Sequence, residues 1–212
     1  MEDSTNKEKV LKKIRAALMS NTIETKDYAV DFDSPIVAEK DETLEIQFAK
    51  SFTQSGGKFV FCIDEEEFLE NLQYIISEYE WKSMFCGETG IKALLSNSNI
   101  NLVDATADLK DVRVAITSCE QLVGKTGSIM VSSQQSTLRV LPFSTQTHIV
   151  LAHTSQICSE TKDALCFLKQ KYGNSLPANF TFIRGNTLLS DNKTDKESLK
   201  EVFVFLIDDT VN

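Results

Sequence analysis

Apolar residues along the chain switch between two spacings, and the switches mark the elements. From about Ser4 to Met19, Val10, Leu11, Ile14, Ala17 and Leu18 recur at helical spacing with lysines between them. A polar, extended stretch follows through Tyr28, Phe32 and Pro35, a candidate arm that packs on the body or on a second subunit of a homo-oligomer. Thr43 to Thr53 predicts a short amphipathic helix stopped at Ser55-Gly56-Gly57, and KFVFCI then predicts a strand. Asp64-Glu65-Glu66-Glu67 opens the next helix, where acidic groups meet the positive end of the helix dipole.

The alternation continues. SMFC predicts a strand, Glu88 to Ser96 a helix, and Val112 to Ile116 a strand. Ser118 to Val123 reads as one helical segment, because Ser118 and Gln121 have capping-box spacing. Strands are expected at Ser128 to Val131 and His148 to Ala152, then a helix over Ser159 to Tyr172 capped by Ser155 or Ser159 and stopped by Gly173-Asn174. NFTFIRG and EVFVFLID read as closing strands, separated by a polar stretch. Strands alternating with helices imply an α/β layered fold with a mostly parallel sheet. The organisation expected is an N-terminal helix and arm over residues 1–40 and one α/β domain over residues 41–212.

Charge narrows the partners. The formal net charge is −9, and the densest basic cluster is Lys7 to Arg15, so nucleic acid is not expected as a main partner. No stretch has the ~18 to 20 apolar residues of a membrane span, and MEDSTNKEKVLKKIRAAL lacks the apolar centre of a signal peptide, so a cytoplasmic location is expected. Cys62, Cys86, Cys119, Cys158 and Cys166 form no C-x-x-C pair. Disulfide frameworks, zinc sites and iron–sulfur clusters need paired or clustered sulfurs, so these cysteines read as small core residues and no metal is expected in this chain.

Three stretches carry candidate chemistry. In GKTGSIMVSS, Lys125 adds positive charge, Thr126 and Ser128 add hydroxyls, and Gly127 permits close backbone approach, so the stretch is either an ordinary helix-to-strand turn or an anion cradle. It is not a phosphate-binding P-loop, which needs G-x-x-x-x-G-K-[ST] after a strand. LRVLPFSTQTHIVLAH holds Arg139, Pro142 and both histidines. His148 and His153 lie five residues apart, so on a strand they face opposite sides and do not share a metal. In FIRGN, Arg184, Gly185 and Asn186 sit where a strand end could hold a carboxylate or phosphate, or form a plain solvated turn. Glu120 is a carboxylate among apolar segments. It reads as a catalytic candidate or as a surface residue of a short helix.

Taken together, CEQLVGKTGSIMVSS, LRVLPFSTQTHIVLAHTSQI, DALCFLKQKYG and EVFVFLIDD resemble the LUD family, the lactate-utilisation domain of the LutC/YkgG type. The resemblance runs from about Val112 to Asp209. It implies a Rossmann-like layered sheet of the NagB/RpiA/CoA-transferase-like group. It also implies a part in oxidising L-lactate to pyruvate beside partner subunits that carry iron–sulfur clusters or flavin. Carried onto this chain, the family turn falls on Thr126, Gly127 and Ser128, its acidic position on Glu120, its proline-histidine element on Pro142 and His148, and its strand-end loop on Arg184, Gly185 and Asn186. Two departures stand out. Lys125 replaces a glutamate, which favours an anion over a general base, and the segment after Gly185 lacks the family's glycine-proline-serine-arginine-threonine-alanine-aspartate run.

The residues then allow three readings. The first is an accessory subunit of a lactate-oxidising system that binds a small anionic ligand. The second is a stand-alone cyclo-ligase or acyl-CoA-transferase-like enzyme with Glu120 as nucleophile or acid–base group. The third is a degenerate binding or scaffold protein.

Overall fold

The computed structural model describes residues 42–96, 98, 100–103, 112–135, 145–188 and 199–210. The helix and arm expected before residue 41, Arg139 and Pro142, and the polar stretch 189–198 lie outside the described residues. Backbone alone is described for Asn186, Thr187, Leu188 and Leu199.

Two sheets organise the chain. The main sheet holds β1 (Lys58–Cys62), β2 (Met84–Cys86), β3 (Leu102–Val103), β4 (Val114–Ser118), β7 (Thr147–His153) and β11 (Leu199–Ile207) in the order β1-β11-β7-β4-β2-β3. All of these pairs are parallel, and β10 (Asn186–Leu188) joins β11 antiparallel. A smaller sheet has the order β8-β5-β6-β9, from β5 (Gln121–Val123), β6 (Ser128–Ser132), β8 (Ile157–Cys158) and β9 (Phe180–Ile183). The α/β layering and the mostly parallel sheet are as the alternation predicts.

Parallel strands buried on both faces read as continuous apolar runs, and EVFVFLI is one. Val202, Val204 and Leu206 point into one core, with Val150, Ala152 and Phe59 of the main sheet, Leu122, Ile129 and Val131 of the small sheet, and Phe48 and Phe52 of helix α1 (Leu44–Gln54). Phe203, Phe205 and Ile207 point into the other, against Phe68 and Leu72 of α2 (Glu65–Glu78) and Ile91 and Leu95 of α3 (Thr89–Leu95). Helix α4 (Thr161–Tyr172) covers the far side of the small sheet through Ala164 and Leu168 against Val123 and Met130. Each fully buried Phe or Leu contributes about 1.5–3 kcal/mol. The edge-to-face contact of Phe68 with Phe205, ring centroids 5.3 Å apart, helps fix α2 on the sheet.

The helix starts follow capping chemistry. The Asp64 carboxylate accepts from the Glu67 amide (2.8 Å), and Glu67 accepts in return from the Ile63 amide (2.7 Å). Helix α4 is capped by Glu160 rather than by Ser155 or Ser159. Its amide donates to Asp163 at 3.1 Å.

One expected element is corrected. Ser118 to Val123 is not helical: Gln121, Leu122 and Val123 form β5, paired with Met130, Ile129 and Ser128. The capping-box pattern fails because Ser118 ends β4 and gives its hydroxyl to Glu88, while burial of Leu122 and Val123 favours strand pairing over local helix. GKTGS is therefore the turn of a β-hairpin, not a helix-to-strand connection. The first strand of this region also begins two residues later than expected, at Val114.

Gly127 has φ +59°, and a Cβ there would lie 2.3 Å from the Phe52 amide nitrogen. Gly127→Ala should therefore destabilise the fold by about 2–4 kcal/mol in urea unfolding, from positive φ and a clash with backbone. Gly90 is the control, because a Cβ there meets nothing within 4 Å. Gly90→Ala in α3 should be neutral or stabilising by up to about 1 kcal/mol, and equal losses from the two variants would contradict this account.

Candidate functional site

In an open α/β sheet, ligands collect outside the carboxyl ends of strands where the crossover direction reverses. That place here lies between β2 and β4. From β2 the chain crosses by α3 to the outer strand β3, on the face of α2. From β4 it crosses by β5 and β6 to β7, on the opposite face. Glu88, just after β2, and Ser118, Cys119 and Glu120, at the end of β4, stand there.

A continuous hydrogen-bonded chain joins Glu88 to Glu120. Glu88 accepts from the Ser118 amide (2.8 Å) and hydroxyl (2.5 Å). The Gln135 side-chain amide donates to the Ser118 hydroxyl (3.3 Å) and accepts from the Ser132 amide (2.8 Å). The Ser132 hydroxyl donates to Glu120 Oε1 (2.5 Å), which also accepts from the Tyr172 hydroxyl (2.8 Å), while Lys171 Nζ binds Oε2 (2.8 Å). Behind it the Gln156 side chain donates to the Cys119 carbonyl (2.6 Å), and Asp209 holds the turn carrying Gln156 through Thr154 and Ser155.

Burial raises the Glu88 pKa more than the Ser118 bonds lower it, and the charge of Glu120 adds to the rise. Lys171 is raised as well: burial, the largest single influence, would lower it, but hydrogen bonding and charge from Glu120 and Tyr172 together outweigh that. Burial and the bond to Glu120 raise Tyr172. The Glu120 side chain is 0% exposed and Lys171 46%, so the ammonium is the face this pair shows to solvent. A side-chain amide in the middle of the chain is a poor proton relay. The network's chemical capacity is therefore to hold two carboxylates in place and to tie α4 to β4 and β6.

The expected site residues fall into three groups. Glu120 belongs to this network and is buried, not a surface residue of a helix. Lys125, Thr126, Gly127 and Ser128 come together with Arg184, Gly185 and Asn186, because Ile129 pairs with Ile183 and both turns press on the end of α1. Gly127 abuts Ser51 and Phe52, and the Gly185 amide donates to the Ser55 hydroxyl (3.1 Å), with room for no Cβ against Gly57. In the GKTGS turn the amides of Gly124, Lys125 and Gly127 already donate to the carbonyls of Cys158, Ser159 and Val123. Thr126 and Ser128 bond each other at 2.6 Å, and Lys125 pairs with Glu160 at 3.4 Å in solvent. Arg184 is exposed, and it lies at the opposite end of β6 from Glu120. The third group is His148, which shares a 2.8 Å hydrogen bond between Nε2 and Thr117 Oγ1 inside the core between the sheets.

Three residues of interest lie outside the candidate chemistry read from the sequence. Lys171 and Tyr172 carried no signal beyond their place at the end of a helix. Lys200 had one: it stands on the same alternation as Val202, Val204 and Leu206, so in a buried strand it must face inward. Cys62, Cys86 and Cys119 are buried core residues, Cys158 is half-buried and Cys166 exposed. Among the described residues no group of three or more His, Cys, Asp or Glu is placed to hold a metal, and no helix is long and apolar enough to cross a membrane.

The family model described as the LUD domain matches residues 46–207. The fold is similar to the crystal structure of a DUF162 family protein from Deinococcus radiodurans, with a TM-score of 0.60 at 13% identity over 78% of this chain and 96% of that one. At that identity the likeness concerns the fold alone. None of the curated proteins matches the sequence significantly.

Replacing Glu120 by Ala should destabilise the chain by about 3 kcal/mol, since the half-buried Tyr172 and Ser132 lose a charged acceptor for their hydroxyls, whereas Tyr172→Phe should cost about 1.5–3 kcal/mol. Urea midpoints at constant m-value read both, and an Ala variant as stable as the parent would show that the network holds nothing. Burial, with the charge of Lys200 second, pushes the His148 pKa down to about 3. A depressed folded pKa means stability present above the unfolded value near 6.5 and lost as pH falls toward 3, by at most about 1.4 kcal/mol per pH unit for this one group. His148→Gln should lack that slope between pH 6.5 and 4, above the range where Asp209 titrates; an unchanged slope would refute the assignment.

Proposed function

This chain belongs to the LUD domain family, and on that premise we propose that it is an accessory subunit of a system oxidising L-lactate to pyruvate and that it binds a small anionic ligand. The family match over residues 46–207 is the observation that carries the reading. Electron transfer would be done by partner subunits holding iron–sulfur clusters or flavin, since the five cysteines here are spread through separate elements of the chain. The chain would act in the cytoplasm beside those subunits.

The stand-alone reading, acyl transfer or cyclo-ligation by Glu120, is the weaker one. A carboxylate nucleophile must present an oxygen to its substrate. Both oxygens of Glu120 are engaged, by Ser132 and Tyr172 on one side and Lys171 on the other. Catalysis by this residue would require the network to open. The scaffold reading keeps the fold and drops the ligand, and binding measurements separate it from the first.

Cells of the source lacking this chain should lose most L-lactate-dependent dye reduction and regain it with the wild-type chain. The tagged chain should bring down an iron–sulfur or flavin protein from lactate-grown cells. An undiminished lactate-dependent rate in the deletion strain would sink the reading.

A further inference from the structure

The small sheet ends in β9, which bonds β6 on one side and forms the edge of the sheet on the other. The ladder fixes which of its backbone groups face outward. Ile129 stands opposite Ile183 and Val131 opposite Thr181, and one step further the Ser133 amide donates to the Asn179 carbonyl at 2.9 Å. Bonded and non-bonded pairs alternate along an antiparallel ladder. Thr181 and Ile183 therefore direct their amides and carbonyls to β6, and those of Phe180 and Phe182 point away from it.

A free edge is ordinarily blunted by charge, proline or a covering element. From Asn179 to Ile183 the strand carries no charge and no proline. Phe180 is 47% exposed, and Thr181 is exposed beside it. Side chains alternate along β9: Ile183 packs on the core between the sheets, whereas Phe182 packs with Val123, Met130, Ala164 and Leu168 under α4. Phe180 shares the side of Phe182. Outward backbone groups and an exposed ring on a neutral edge suit an added strand, because the ladder needs another backbone and the ring needs an apolar neighbour.

We propose that β9 is the contact through which two copies of this chain pair, antiparallel about a two-fold axis at Thr181, joining their small sheets in the order β8-β5-β6-β9-β9-β6-β5-β8. In that register Phe180 of each copy stands opposite Phe182 of the other, and each such pair exchanges both of its backbone hydrogen bonds. Phe180 then lies beside an aromatic ring on the same face instead of water. Charge favours a second copy as the added strand. Each chain carries a formal charge of −9, so two copies meet most easily where neither brings a charge to the contact. Here Thr181 faces Thr181 and Ile183 faces Asn179. The two Arg184 side chains stand at opposite ends of the paired strands, roughly 20 Å apart at the rise of a β-strand, well beyond the Debye length of about 8 Å at physiological salt. The axis is perpendicular to the joined sheet, so both α4 helices lie on one face of it. The pairing is independent of the lactate reading, and its failure leaves that reading untouched.

Sedimentation equilibrium of the full chain at a series of concentrations should show a monomer–dimer equilibrium. Thr181→Lys sets ammonium against ammonium on the axis at an exposed position, and it should weaken self-association at least tenfold while the far-UV circular dichroism stays that of the wild type. The register is read by cysteine pairing in a Cys166→Ser background, which removes the exposed native thiol. Thr181→Cys places two thiols across the axis at a Cα separation of about 4.5 Å for a non-bonded pair, inside the disulfide range of about 4.4–6.8 Å, and should give a covalent dimer on mild oxidation. Asn179→Cys places them roughly 13 Å apart and should not. A wild type that stays monomeric at every concentration means that the edge is left open or covered within the chain, and it overturns the proposal. So does a dimer that Thr181→Lys leaves unchanged, or equal cross-linking at the two positions. Should Thr181→Lys fail to fold, the wild-type equilibrium and the two cysteine variants decide.

Discussion

The structure depends on taking both faces of β7 and β11 out of water at once. Seven residues of β7 pair with β11 in parallel, and the buried residues alternate between two cores. Helices α2 and α3 cover one face. The other is covered by α1 and by the small sheet, so the antiparallel hairpin of β5 and β6 is a wall of the main core and not an appendage. That demand explains why LVGKTGSIMV is a hairpin: its outer face needs α4, its inner face needs Val150, Ala152 and Val204, and the turn must clear the end of α1. Gly127 and Gly185 answer the same constraint from two strands, because each turn lies directly against the backbone of residues 51–57.

Polar groups enter this apolar frame in two places, and they differ in kind. At the carboxyl ends of β2 and β4, Glu88 and Glu120 have their oxygens satisfied by serines, a tyrosine and a lysine, which is what buried carboxylates require. Removing one member leaves the others unsatisfied, so the network specifies how α4 docks. On the inner sheet face, Thr117, His148 and Lys200 form a group of hydroxyl, neutral ring and ammonium. The first arrangement is closed by its own hydrogen bonds. The second lies on the face that packs against the small sheet and α1, inside the core.

Most of the layering was legible in the sequence. KFVFC, MFC, HIVLA and EVFVFLI are runs too apolar for any half-exposed strand, and the helices between them carry caps and stops at their ends. The small sheet was legible only in part: β6 and β9 read as strands, but β5 has three residues, and β8 and β9 pair with β5 and β6 from far along the chain. A capping-box spacing at Ser118 and Gln121 is local information, and non-local burial of Leu122 and Val123 overrode it. For the site, the grouping of the GKTGS turn with Arg184-Gly185-Asn186 followed from similarity to known family motifs, whereas the burial of Glu120 required knowing that Lys171 and Tyr172 arrive from α4. Lys200 could have been found by counting alternate positions in LKEVFVFLI, and a charged residue on the inward count is a sequence signal that motif reading passes over.

Lys125 shows how charge reversal and geometry act together. A glutamate before the threonine-glycine pair, as the family commonly has, would stand beside Glu160, and like charges there would loosen the hairpin from the start of α4. With lysine in that place the turn gains an ion pair at 3.4 Å, in solvent where it contributes little energy, and the amides of Gly124 and Lys125 dock on the carbonyls of Cys158 and Ser159 just ahead of that helix. The turn therefore serves in this chain to join hairpin and helix.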